Sequence, residues 1–92
     1  MSRSKNTPLK LPANLTIANI EALHEQLKAK EFEKKLVLDA SNVEVVDTAG
    51  VQLLLAAQRR LEAGGGLLDW KAGSEVLKQA IKVVGLEDTI VI

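Results

Sequence analysis

The sequence predicts an α/β domain: a small, mostly parallel β-sheet of about four strands, flanked by three to four helices. Two short runs, residues 36–39 and 43–46, are almost continuously apolar, which is typical of strands buried on both faces. Before and after these runs, apolar residues recur at helical spacing. Because strand and helix patterns alternate along the chain, crossover connections and parallel pairing are expected.

The first half of the chain gives these signals. Residues 9–11 alternate in polarity and predict a short strand that stops at Pro12. A helix then extends to about Lys30, with Thr16 as its N-cap and Asn19 as the alternative. The apolar run at residues 36–39 is the next strand.

The second half continues the alternation. A helix is predicted from about residue 49 to residue 63, where a run of three glycines ends it. Residues 67–70 predict a strand. Ser74 is placed to cap a third helix that Gly85 closes, and residues 90–92 predict a final strand.

Length and composition indicate one domain, residues 9–92, after a disordered tail of residues 1–8. The chain has 92 residues, of which 47% are hydrophobic and 2% aromatic, so we expect an aliphatic core. We expect no signal peptide, because no charged segment followed by an apolar segment stands at the start of the sequence. The longest apolar runs are also too short to span a membrane. We therefore expect a cytoplasmic protein that does not insert directly into a membrane.

Several classes of function are disfavoured. Twelve basic and twelve acidic residues cancel, and aromatic residues are scarce, so direct nucleic-acid binding is not expected. With no cysteine and one histidine, we expect no metal site and no cofactor. Neither Ser41 nor Thr48 has a histidine or lysine base near it in sequence, which argues against an enzyme.

Residues 38–51 carry the most information about function. Asp39 follows a buried strand, whereas Asp47 and Thr48 stand where the next helix begins. Because sites collect at the carboxyl ends of strands in open α/β sheets, we expect two acids and a hydroxyl to converge there. In one interpretation, Asp47 or Thr48 is only a helix cap. In the other, Thr48 accepts a phosphate, which changes the surface charge by about −1.5 to −2 at pH 7.

These residues resemble a known family. The pattern Leu-Asp-x-Ser, then Val-Asp-Thr-Ala-Gly, an apolar helix and a glycine turn is similar to the STAS domain of bacterial anti-sigma factor antagonists. Residues 11–17 resemble that family's second strand and the start of its next helix. Residues 74–85 resemble its third helix, so the resemblance covers residues 9–92.

The resemblance implies a function in bacterial signal transduction and transcription regulation. The hydroxyl residue after the motif aspartate, here Thr48, is the phospho-acceptor of a switch-protein kinase that is also the anti-sigma factor. The unphosphorylated form binds that kinase and releases the sigma factor. The other matching positions shape the partner-binding surface: Asp39, Ser41, Asp47, Ala49 and Gly50.

Two alternatives remain open within the family. STAS domains are also accessory subunits of phospholipid-transport ABC complexes, where they bind the ATPase. They also occur as separate proteins in chemotaxis-type pathways. This sequence has Thr48 where simple antagonists more often have serine.

Overall fold

The computed structural model describes residues 8–30 and 33–92 and shows an α/β fold. It has five strands: β1 Leu9–Lys10, β2 Asn14–Leu15, β3 Lys35–Ala40, β4 Val45–Val46 and β5 Leu67–Gly73. It has three helices: α1 Glu21–Ala29, α2 Thr48–Ala63 and α3 Glu75–Val83. Of the predicted disordered tail, residues 1–7 lie outside the described residues.

The strands form two parallel sheets, which confirms the predicted parallel pairing. The main sheet has the order β1-β3-β5, and β2 and β4 form a separate two-stranded sheet. β3 lies in the centre, and its apolar run is largely buried, with Leu38 fully inaccessible. The small β2–β4 sheet leads directly into α2 and contacts both α2 and α3.

The core is aliphatic, as the composition predicts. Leucine and valine side chains from β2, β3 and all three helices fill it. The largest fully buried side chains are those of Leu11, Leu15, Leu38, Leu54, Leu61, Leu77, Val43 and Val51. Within the described ranges, 8–30 and 33–92, no helix is long and apolar enough to cross a membrane.

The predicted cap of α1 is wrong. Ile20 is the N-cap residue and has no side-chain cap hydrogen bond. Thr16 instead donates its hydroxyl to Asn14 Oδ1 at 2.6 Å, and its carbonyl accepts from the Asn19 N–H at 2.8 Å. This local turn uses the groups that would otherwise cap the helix, so α1 begins later, at Glu21.

The other predicted helix ends are confirmed. Ser74 Oγ accepts from the Leu77 N–H at 3.1 Å and caps α3. Gly65 and Gly85 have φ angles of 86° and 78°, respectively, the left-handed conformation that commonly follows a helix. After Gly85, the Leu86 N–H reaches back to the Ile81 carbonyl at 3.0 Å.

The predicted final strand at residues 90–92 is wrong. This segment has no strand pairing; a turn that ends at Thr89 precedes it. The Thr89 carbonyl accepts a 2.7 Å hydrogen bond from Gln58 Nε2 on α2, while Ile90 is buried and Ile92 packs over Gly73. The apolar residues at 90–92 therefore pack against the core without pairing as a strand.

Candidate functional site

The amino end of α2 is organised by the Asp47 carboxylate. Asp47 has the extended backbone of an N-cap residue, and its Oδ1 accepts from the Gly50 N–H at 3.0 Å. Its Oδ2 accepts from the Ile17 N–H at 2.9 Å, thirty residues earlier. Both oxygens are therefore used, and one side chain joins the segment after β2 to the start of α2.

These hydrogen bonds also keep Asp47 ionised. The Ile17 N–H, followed by the Gly50 N–H, lowers the pKa of Asp47 below its ordinary value, while burial acts in the opposite direction. A fixed negative charge therefore stands beside the first helical residue at neutral pH.

Thr48 is that first helical residue, and its side chain is exposed. Asp47 supplies the cap, so the hydroxyl of Thr48 is not needed for it. Among the hydrogen bonds of the described residues, none uses the Thr48 hydroxyl. The hydroxyl is thus accessible to a modifying enzyme and to a docking partner.

Exposed aliphatic side chains lie on either side of α2 near Thr48. Ile17 is 71% exposed beside α1, and Val83 is 81% exposed at the end of α3. An open cleft between α2 and α3 contains Thr48 and Val83 together with Val46 and Val84. We call Ile17, Thr48 and Val83 the α2 docking surface.

Sequence reasoning missed Ile17 and Val83. For Val83 the helical spacing is a usable signal. Leu77 and Ile81 mark the buried face of α3, and Val76 and Val83 fall on another face of the helix. Both are exposed. For Ile17 the sequence offers no signal, because its position depends on the distant Asp47 carboxylate.

Ala49 and Gly50 follow Thr48 along α2 but are less accessible. Ala49 is half-buried and lines a cleft between α1 and α2. Gly50 is buried against β2, where a Cβ atom would overlap the carbonyl oxygen of Leu15 and lie 2.9 Å from its Cγ. Gly50 therefore sets how closely α2 approaches β2.

Asp39 and Ser41 form a second polar group at the end of β3. Asp39 is only 6% exposed; its Oδ1 accepts from the Ser41 hydroxyl at 2.7 Å and from the Ser41 N–H at 3.0 Å. The Ser41 hydroxyl and N–H lower the pKa of Asp39 despite its burial, with smaller contributions from Lys71, whose Nζ lies 4.0 Å from Oδ2, and Lys10. This group holds the turn after β3.

The predicted convergence is therefore divided between two networks. Asp47 and Thr48 meet at the start of α2, as expected. Asp39 bonds to Ser41 and Lys71, and within the described chain it shares no hydrogen-bond partner with Asp47. Partner-binding roles for Asp39 and Ser41 stay a prediction from the resemblance.

The described residues contain no group of three or more histidine, cysteine or acidic side chains placed to hold a metal ion. The site instead combines an exposed hydroxyl, a capped helix end and exposed aliphatic neighbours. This arrangement defines a class: a small parallel α/β domain with a surface suited to protein contact.

Comparison with known families identifies the group within that class. A family model described as "Mlab, STAS domain" matches residues 2–92. The chain belongs to this STAS domain family. A comparison with curated proteins gives no match.

Proposed function

We propose that this chain is an anti-sigma factor antagonist-like regulatory protein of the bacterial cytoplasm, without catalytic activity of its own. Its α2 docking surface binds a switch-protein kinase that is also the anti-sigma factor, and phosphorylation of Thr48 controls that binding. One observation carries the proposal: Asp47 caps α2, which leaves the neighbouring Thr48 hydroxyl exposed between aliphatic side chains.

The position of Thr48 suits a phosphoryl transfer that leaves the fold intact. The Thr48 oxygen attacks the γ-phosphorus of ATP bound to the kinase, the bond to ADP breaks, and a base of the kinase takes the hydroxyl proton. The product phosphate stands at a helix amino end, where unpaired N–H groups and the helix dipole favour an anion. We therefore expect the modified domain to remain folded.

The same phosphate opposes partner binding. It adds about −1.5 to −2 charges at pH 7, next to the ionised Asp47. A partner that covers Ile17 and Val83 must remove water from this anion, which is costly without a paired cation. Phosphorylation thus acts on the interface, and the unphosphorylated form is the binding form.

The direct test is phosphorylation by the cognate kinase, with the site located by mass spectrometry. We expect one phosphate on Thr48 and none on the Thr48→Ala protein. Thr89→Ala is the matched control, because Thr89 is also exposed but lies away from α2's amino end. Full phosphorylation of the Thr48→Ala protein would show that the assignment is wrong.

A second candidate function is a permanent accessory subunit, such as one that binds the ATPase of a phospholipid-transport ABC complex. The strong exposure of Ile17 and Val83 favours it, because long-lived interfaces are more apolar than transient ones. In this case an ABC ATPase copurifies with the protein, Thr48 is unmodified, and Thr48→Ala binds normally. Val83→Asp weakens binding under either function, so the identity of the copurifying partner and the state of Thr48 separate the two.

A further inference from the structure

A second cleft lies between α1 and α2, towards the carboxyl ends of both helices. Its floor is apolar and includes Leu27, Leu53 and Ala57. Its cavity volume is about 40 Å³. Small-molecule sites are usually about 300–1,000 Å³, so this cavity suits the end of one apolar side chain and not a cofactor.

The rim of the cleft is basic. Every ionisable residue that lines it is a lysine, an arginine or a histidine: His24, Lys28, Lys30 and Arg60. Among the ion pairs of the described residues, none involves these side chains. The cleft therefore presents a cationic edge around an apolar floor.

The helix dipoles do not account for all of this charge. The carboxyl ends of α1 and α2 contribute roughly −0.5 charge each, about −1 together. Lys28, Lys30 and Arg60 carry three positive charges. About two positive charges remain after the dipoles are balanced, and these are available to an acidic ligand.

The cleft continues towards the amino ends of the helices. A wider cleft shares His24 and Leu53 with it and extends to Ala49, with Glu21 along its side. From Ala49 to Arg60, the groove measures about 16 Å along α2, roughly three helical turns. Glu21 lies towards one end of the groove and the basic side chains lie at the Arg60 end, so the side-chain charges differ between the two ends.

We propose that this groove, the α1–α2 groove, binds an acidic amphipathic helix of a partner protein. An apolar side chain of that helix fills the 40 Å³ cavity, while flanking carboxylates face Lys28, Lys30 and Arg60. The basic end of the groove is separate from Thr48. Arg60 lies about 18 Å along the helix from Thr48, beyond the screening length of about 8 Å at physiological salt.

The test uses a synthetic fifteen-residue helical peptide of about four turns, with leucines on one stripe and glutamates beside them, and the intact chain. Fluorescence anisotropy gives the Kd. We expect Arg60→Glu to weaken binding by roughly tenfold or more, since it removes an attraction and adds a repulsion. Arg59→Glu is the matched control, because Arg59 is an exposed neighbour on α2 that does not line the groove; its Kd should change less than about twofold.

One further measurement completes the test. A peptide with lysine in place of each glutamate should bind at least about tenfold more weakly than the acidic peptide. No binding of the acidic peptide, or equal loss with Arg59→Glu and Arg60→Glu, would overturn the proposal. So would an Arg60-dependent preference for phosphatidylglycerol vesicles over the peptide, or self-association through the groove by sedimentation.

Discussion

Replacement of Gly50 by alanine tests how closely α2 and β2 pack. In an exposed helix interior, glycine to alanine stabilises by up to about 1 kcal/mol. At Gly50 the new methyl group overlaps the Leu15 carbonyl oxygen and lies 2.9 Å from Leu15 Cγ. Leu15 is fully buried and is held in β2 by pairing with β4, so it cannot move aside easily.

The magnitude follows from these two opposing effects. Overpacking of a well-packed core costs roughly 1–3 kcal/mol, and a rigid backbone oxygen places Gly50→Ala near the upper value. After the gain in helix propensity, we expect a net loss of about 2 kcal/mol. For a domain of this size, that loss lowers Tm by roughly 8–16 °C.

Urea and thermal unfolding, followed by circular dichroism, measure this loss. Ala56→Gly is the control: Ala56 is exposed on α2, so its replacement reports mainly helix propensity and should cost about 1 kcal/mol. For Gly50→Ala, the sign of the change in the free energy of unfolding distinguishes overpacking from a gain in helix propensity. A Gly50→Ala protein as stable as wild type, or more stable, would refute the close approach of α2 to β2.

Three further predictions concern the caps, the carboxylates and the switch. Ser74→Ala should lower the free energy of unfolding by about 1 kcal/mol in urea, and Ser74→Asn, which keeps a cap acceptor, should cost less. The folded-state pKa values of Asp39 and Asp47 are lowered, so both carboxylates stabilise the fold above the unfolded-state pKa, and this stabilisation is lost as pH falls through the folded-state pKa. Urea unfolding at a series of pH values should therefore show the free energy of unfolding decreasing below roughly pH 4. The decrease should be less steep in the Asp39→Asn protein. Thr48→Glu should change Tm little, because Thr48 is exposed at a helix amino end, yet reduce binding of the cognate kinase in a pull-down.

The three helices and strands β1, β3, β4 and β5 were predictable from local patterns, because the helices carry apolar periodicity and β3 is a continuous apolar run. Ser74 was also predictable as a cap, since its partner Leu77 lies three residues away. The cap of α1 was not, because the Thr16 hydroxyl bonds to Asn14. The apolar run at residues 90–92 has the composition of a strand, but burial and a hydrogen bond to Gln58 determine its conformation.

The candidate site shows the same division between local and distant causes. Local sequence allowed either Asp47 or Thr48 to cap α2. The Ile17 N–H, thirty residues away, is the second partner that occupies the Asp47 carboxylate, and no local pattern reveals it. The α1–α2 groove was missed for two reasons. The lysines near the end of α1 were explained by the helix dipole, which favours cations there. The packing of α1 against α2, which forms the groove, cannot be read from the sequence of either helix alone.

Gly50 and Asp47 together explain how Thr48 and the Ile17 segment are held next to each other. Gly50 allows β2 to lie against α2, and Asp47 then holds the Ile17 segment beside the helix end. Thr48 and Ile17 are exposed as a consequence of this support. A change at either supporting residue should alter partner binding even where the partner does not touch it.

The most direct test of the central claim is isothermal titration of the cognate switch kinase with the unmodified protein and with protein phosphorylated on Thr48. The proposed function predicts that the unmodified form binds and that the phosphorylated form binds at least about tenfold more weakly, a difference of about 1.4 kcal/mol. Both forms should have similar Tm values, since the phosphate acts on the interface. Equal Kd values for the two folded forms would contradict control by Thr48.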